Sequence, residues 1–258
     1  MLRPTRRGED VSAPAYGSIL VGGRCSAQCN FCVGRHVADR SMPHVGRDWR
    51  AFLARLAQDG IGEVSVSGVN SDPLLCLDTP AIVARAHELG LRVGLHTNGM
   101  GDPAVALAAD KTTLSLHSFR PHRFEAITSC PAPLLERVVA FAAAVAPRRP
   151  LKLSATYVPE NADEISGGDW FRSAAGLGVK RAVIRRCVGG SMDPRLPPGA
   201  RRLPAFAGQK VAEFEGVEIT VWDYAVANRR LAPVSLWPDN AVRGADAWEA
   251  LSPRWREE

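Results

Sequence analysis

No stretch of this 258-residue chain approaches the roughly 20 consecutive apolar residues that a membrane span needs. The opening MLRPTRRGEDVSAP has no apolar run either, so it does not read as a signal peptide. A cytoplasmic setting is expected, with reduced cysteines and no membrane partner. Blocks of like charge are also missing. Net charge is +5, but the arginines are scattered as pairs: Arg6–Arg7, Arg148–Arg149, Arg185–Arg186, Arg201–Arg202 and Arg229–Arg230. That is the pattern of a solvated surface, and no basic block interleaved with aromatics marks a nucleic-acid site. There is no internal repeat and no sign of a second domain. Cysteine is absent after Cys187, and Cys76, Cys130 and Cys187 lack C-x-x-C spacing, which argues against a second metal cluster. What remains is a chain that is 46% hydrophobic and long enough for one large core.

From residue 18 to 186 strands and helices alternate. SILVGG (18–23), EVSVSG (63–68), LRVGLHTNG (91–99), TTLSLHS (112–118), LKLSATYV (151–158) and VKRAVIRRC (179–187) read as six strands. Trp49, Phe52, Leu53 and Leu56 recur at helical spacing, as do Ile82, Val83, Ala86 and Leu89; Leu134, Leu135, Val138, Val139 and Val145; and Trp170, Phe171, Ala174 and Leu177. A short helix is expected around 103–109. This is an α/β pattern with parallel strands and helices outside. Periodicity leaves an open barrel and a doubly wound sheet equally available. In both, the working face is the carboxyl end of the strands. Residues 188–206 read as a Gly- and Pro-rich loop, 216–224 as one more strand, and 225–258 as an irregular capping tail with Trp237, Trp248 and Trp255.

Cys25, Cys29 and Cys32 form a C-x3-C-x2-C run on the loop that leaves the first strand. Three thiolates suit one cuboidal [4Fe–4S] cluster with one iron left open to another ligand. Zinc stays an alternative, with His36 as its fourth ligand, and a disulfide is a weaker one.

With Phe31 before its last cysteine, the run resembles the C-x3-C-x-Φ-C signature of radical S-adenosylmethionine (radical SAM) enzymes. The resemblance covers roughly residues 18–187. It implies a partial (β/α)6 barrel, a [4Fe–4S] cluster held by Cys25, Cys29 and Cys32, and SAM on the open iron. One electron then cleaves SAM to a 5′-deoxyadenosyl radical. The end of the second strand, SGVNSDPLL (67–75), is similar to the family's GGEP-type segment, which meets the methionine amino group. Ser67 and Gly68 stand for the glycines and Val69–Asn70 for the acid. Thr97-Asn98-Gly99 resembles the TNG of molybdenum-cofactor cyclases, near the methionine moiety. Ser115-Leu116-His117 is similar to their S-L-D, whose serine reaches SAM. Two strand residues apart, Ser115 and His117 share one face. The resemblance puts Val158 backbone near adenine, with Tyr157 and Glu160 as pocket residues. One of Arg185 and Arg186 points inward, toward the SAM carboxylate or an anionic substrate.

These readings give an N-terminal extension over 1–17, a radical SAM core over 18–187, and a C-terminal loop, strand and capping tail over 188–258. The expected activity is hydrogen abstraction from a small polar metabolite. Rearrangement, epimerisation, dehydrogenation and decarboxylation all fit, and Cys187 or Tyr157 is the expected catalytic hydrogen donor. An external electron donor such as flavodoxin or ferredoxin is implied. Two alternatives stay open: radical modification of tRNA or a peptide, and a non-enzymatic metal-binding redox sensor.

Overall fold

The computed structural model describes residues 16–32, 34, 43–224 and 233–244. Six strands stand side by side in chain order, all parallel: β1 (Gly17–Val21), β2 (Glu63–Gly68), β3 (Arg92–Thr97), β4 (Lys111–Ser115), β5 (Leu151–Tyr157) and β6 (Arg181–Arg186). The helices between them are α1 (Trp49–Gln58), α2 (Thr79–Glu88), α3 (Pro103–Ala108), α4 (Pro121–Thr128), α5 (Leu134–Val145), α6 (Ala162–Ser166) and α7 (Asp169–Gly176). Parallel strands need such crossovers, and each crossover lays an apolar helix face on the sheet. Trp49, Phe52, Leu53 and Leu56 are the buried face of α1, as their spacing requires.

Alternation along the strands divides the sheet into two faces. Val64, Val66, Val93, Leu95, Leu114, Leu153, Ala155, Ala182 and Ile184 belong to the core beneath the helices. The opposite face of the same strands is polar: Ser65, Ser67, His96, Thr113, Ser115 and Lys152 lie there half-buried. The arc of the partial (β/α)6 barrel is therefore dry outside and polar within.

The C-terminal region departs from the sequence expectation. Residues 188–206 read as loop, but Arg201–Phe206 is a strand (β7), antiparallel to a second unexpected strand, β8 (Gln209–Phe214). β7 is exposed along most of its length, so no hydrophobic alternation betrayed it. β8 runs antiparallel to β9 (Val217–Trp222), the one strand expected here, which extends the parallel arc beside β6. Within the tail, β10 (Val234–Leu236) pairs parallel with β1 and antiparallel with β11 (Val242–Arg243). Its described part thus prolongs the sheet and buries Trp237. Trp248, Trp255 and His36 lie outside the described residues.

Candidate functional site

The cysteine loop leaves β1 and runs to a helix that sequence periodicity did not reveal. The last carbonyls of α4 have no partners within the helix. The loop supplies them: Gln28 N–H donates to Thr128 O (2.8 Å) and Asn30 N–H to Ile127 O (3.2 Å). Ser129, in the left-handed conformation, ends the helix. Cys130 then turns its thiol to Ser26 O, 3.4 Å away. Cys32 N–H donates to Cys29 O (3.1 Å) and closes the turn between these two cysteines. The backbone thus fixes the thiol-bearing segment at the carboxyl end of the strands.

Two donors address Cys25 Sγ: the Ala27 backbone N–H at 3.4 Å and Asn98 Nδ2 at 3.6 Å. Hydrogen bonds to a ligating sulfur stabilise thiolate character and tune a cluster's potential. Burial pushes the Cys25 thiol up to about 11, and burial with the neighbouring Cys32, Cys25 and Cys130 pushes Cys29 to about 12. Among the described residues no three His, Cys, Asp or Glu side chains converge on one point that would hold a single metal ion. A cuboidal cluster would take one thiolate per iron, which Cys25, Cys29 and Cys32 could supply. The donor set, its loop and its N–H groups fit that cluster.

The turn after the second strand also carries an acid, Asp72, two residues past Asn70. Asp72 is 3% exposed and accepts four contacts: Thr97 Oγ1 at 2.8 and 3.0 Å, Asn98 N–H at 2.6 Å and Leu74 N–H at 2.9 Å. It clasps the ends of β2 and β3. Its neighbour Pro73 opens a 3-10 turn that Asp72 caps through Leu74 N–H. Burial raises the Asp72 carboxyl, against the pull of these donors. The Thr97 hydroxyl serves Asp72 and accepts from Gly99 N–H (3.0 Å). Asn98 stays at the site, with Nδ2 2.9 Å from Ser26 Oγ as well as facing Cys25. Gly68 is fixed by space, since a side chain there would collide with the Ser71 carbonyl. Val69 is buried and Asn70 takes a left-handed turn, φ 53°. Ser67 and Ser115 lie on the polar face.

His117 is buried, and its Nδ1 accepts from Thr156 N–H at 3.1 Å. Its ring meets Phe31 edge-on, with centroids 4.8 Å apart. Burial, helped by Arg185, lowers the imidazole to about 3. His117 is therefore a neutral post that holds the cysteine loop. The Val158 N–H donates to Asn161 Oδ1 (3.0 Å), and Val158 O accepts from Asn161 N–H (3.1 Å). Asn161 Nδ2 in turn binds His117 O and Thr156 O at 2.8 and 2.9 Å. Tyr157 shares the face of Leu153 and Ala155 in the helix-covered core and is 3% exposed. Alternation thus sends it away from the polar face, against the expected catalytic role. Glu160, by contrast, reaches the site: Oε1 accepts from Asn30 Nδ2 (3.1 Å), while the buried Oε2 has no hydrogen-bond partner. Cys187 is half-buried beyond β6, its thiol 3.6 Å from Val188 O and raised by burial. Arg185 does point inward. Arg186 pairs with Asp193 and Asp223 at 3.4 Å each.

No family model matches the chain. It is 31% identical over 154 residues to the PqqA peptide cyclase of Xanthomonas campestris pv. campestris strain B100, covering 56% of this chain and 40% of that protein. It is 29% identical over 123 residues to the GTP 3′,8-cyclase of Heliobacterium modesticaldum, covering 44% and 37%. The chain thus spans about 40% of the length of the curated relatives it matches. Among solved structures, Streptococcus suis SuiB bound to its precursor peptide SuiA superposes with a TM-score of 0.66 at 12% identity, over 96% of this chain and 67% of that one. SuiB bound to SAM gives 0.56 at 16% identity, over 68% and 40%. These likenesses establish the fold. Together with the cysteine loop, the named relatives point to the radical SAM superfamily.

Proposed function

We propose that this chain is a radical SAM enzyme acting on a peptide. The observation that carries the enzyme reading is the cysteine loop, clamped by α4 and β3 and furnished with two donors to Cys25. Cys25, Cys29 and Cys32 would hold a [4Fe–4S] cluster, which when bound supplies the electron that splits SAM into methionine and a 5′-deoxyadenosyl radical. The chain's own groups do the positioning. Asp72 fixes Asn98 against the loop, and His117 fixes Phe31. Glu160, whose buried Oε2 has no hydrogen-bond partner among the described residues, is the candidate carboxylate for SAM. Ser67 and Ser115 offer hydroxyls from the polar face. Cys187 remains the candidate hydrogen-atom donor, because its raised thiol stays protonated; the external electron donor would re-reduce the sulfur. Tight placement of a hydrogen beside the reacting carbon supplies much of such an enzyme's rate.

The peptide reading rests on the PqqA peptide cyclase relatives, and it displaces the small polar metabolite expected from sequence. The test is to incubate the reduced protein and SAM with short peptides encoded beside its gene. One of them should accelerate release of 5′-deoxyadenosine and change mass. Acceleration by a small metabolite or by tRNA, with every such peptide inert, contradicts the peptide reading.

A further inference from the structure

We propose that the polar face of the strand arc carries a binding site for one anionic oxygen group of the substrate, a carboxylate or a phosphate, held by Arg185 and Lys152 with His96 beside them. The inference rests on the proposed function only in placing the substrate on this face.

Register and alternation bring the three residues together. His96 on β3 lies opposite Thr113 on β4, and Thr113 opposite Lys152 on β5, so the histidine and the lysine stand at one level two strands apart, with Thr113 between them. Lys152 and Ser154 share the polar face, because Leu151, Leu153 and Ala155 occupy the other. Arg185 lies opposite Thr156, yet its Nε donates back to Ser154 Oγ at 2.8 Å, and a terminal nitrogen donates to the Tyr224 hydroxyl. The guanidinium therefore leans along the strand toward the level of Lys152. This orientation favours a substrate group over the SAM carboxylate as its partner.

Charge on this face is unbalanced. Among the described residues neither Arg185 nor Lys152 forms an ion pair. Glu63, a carboxylate near this face, is already bound by Arg92 at 3.3 Å and by Lys111. Burial first, and then Lys111, Arg185 and Arg181, lowers Lys152 to about 8 against the opposite pull of Glu218, while burial with Arg185, Lys152 and Lys111 lowers His96 to about 3. Enclosing cations without counter-charge costs folding energy, and an arriving anion removes that cost. Arginine offers its planar fork to two oxygens, lysine a point charge, and a neutral histidine one N–H. The two side chains that hold Arg185 are hydroxyl groups, which orient it without neutralising it.

The test is titration of the purified full chain with inorganic phosphate and, separately, with succinate, against chloride at equal ionic strength. The readout is the His96 ring in histidine nitrogen spectra, assigned with His96→Asn. One of the two oxyanions should shift it saturably, and which one identifies the group. Arg185→Gln and Lys152→Gln should each weaken that affinity about tenfold, the size of one lost charge-assisted contact. Lys152→Arg keeps the charge and should retain binding, which guards against a glutamine variant that fails to fold. No saturable shift in the wild type, an equal response to chloride, or undiminished affinity in folded glutamine variants overturns the proposal. Failure of the radical SAM reading would appear elsewhere, as an absence of 5′-deoxyadenosine from the reduced wild type.

Discussion

The ring of Phe31 meets the imidazole of His117 edge-on, with centroids 4.8 Å apart. His117 is in turn fixed to β5 through the Thr156 N–H. A residue inside the cysteine run is thereby pinned to the central strands.

Phe31→Ala removes that pin. An edge-on aromatic pair contributes about 0.5–1.5 kcal/mol beyond its buried area. The three thiols and the α4 carbonyls that hold the loop are untouched. The variant should keep its iron content and bind SAM several-fold more weakly, as calorimetry on reconstituted protein would show. Loss of iron would mean that Phe31 shapes the ligand set itself.

Asp72 accepts from three backbone or hydroxyl donors that no amide can satisfy together. Asp72→Asn turns one accepting oxygen into a donor facing a donor. Leaving buried groups unpaired costs roughly 1–3 kcal/mol. Chemical denaturation should show a loss of that order, accompanied by detachment of Asn98 from the cysteine loop. Unchanged stability would contradict the clasp between β2 and β3.

Two histidines give the fold an acid limit. Burial lowers both His96 and His117 to about 3, below the usual imidazole range near 6.5. In the unfolded chain they take up protons as pH falls through about 6.5; in the folded chain they do not. Stability should therefore be full above that pH and decline steadily as pH falls toward about 3. Nitrogen spectra at pH 5 should find both rings neutral. A charged ring on either residue at that pH would contradict its enclosure.

The six parallel strands and the thiol run were legible because their signals are local. Periodicity shows which face of α1 is buried, and cysteine spacing survives without any knowledge of contacts. The clasp was not legible, because Asp72 and Thr97 are 25 residues apart and meet only when β2 lies beside β3. The same holds for Cys130, which reaches Ser26 across 104 residues. Helix α4 was missed because PHRFEAIT carries few apolar residues, although its carbonyls hold the cysteine loop. Tyr157 was misplaced for a simpler reason. Its position at a strand's end suggested the pocket, but the parity of Leu153 and Ala155 sends it to the core. The polar face is the reverse case, since His96 and Lys152 alternate visibly in sequence but acquire meaning only once their strands stand in register.

The central claim is that Cys25, Cys29 and Cys32 hold one cluster that opens SAM. The most direct measurement is iron, acid-labile sulfide and 5′-deoxyadenosine on anaerobically reconstituted, dithionite-reduced protein, compared with Cys25→Ala, Cys29→Ala, Cys32→Ala and the core variant Cys76→Ala. About four irons per chain, and 5′-deoxyadenosine from the wild type and Cys76→Ala but from none of the three loop variants, is the expected result. About one zinc per chain with no reducible iron, or 5′-deoxyadenosine that persists when a loop cysteine is removed, would contradict it.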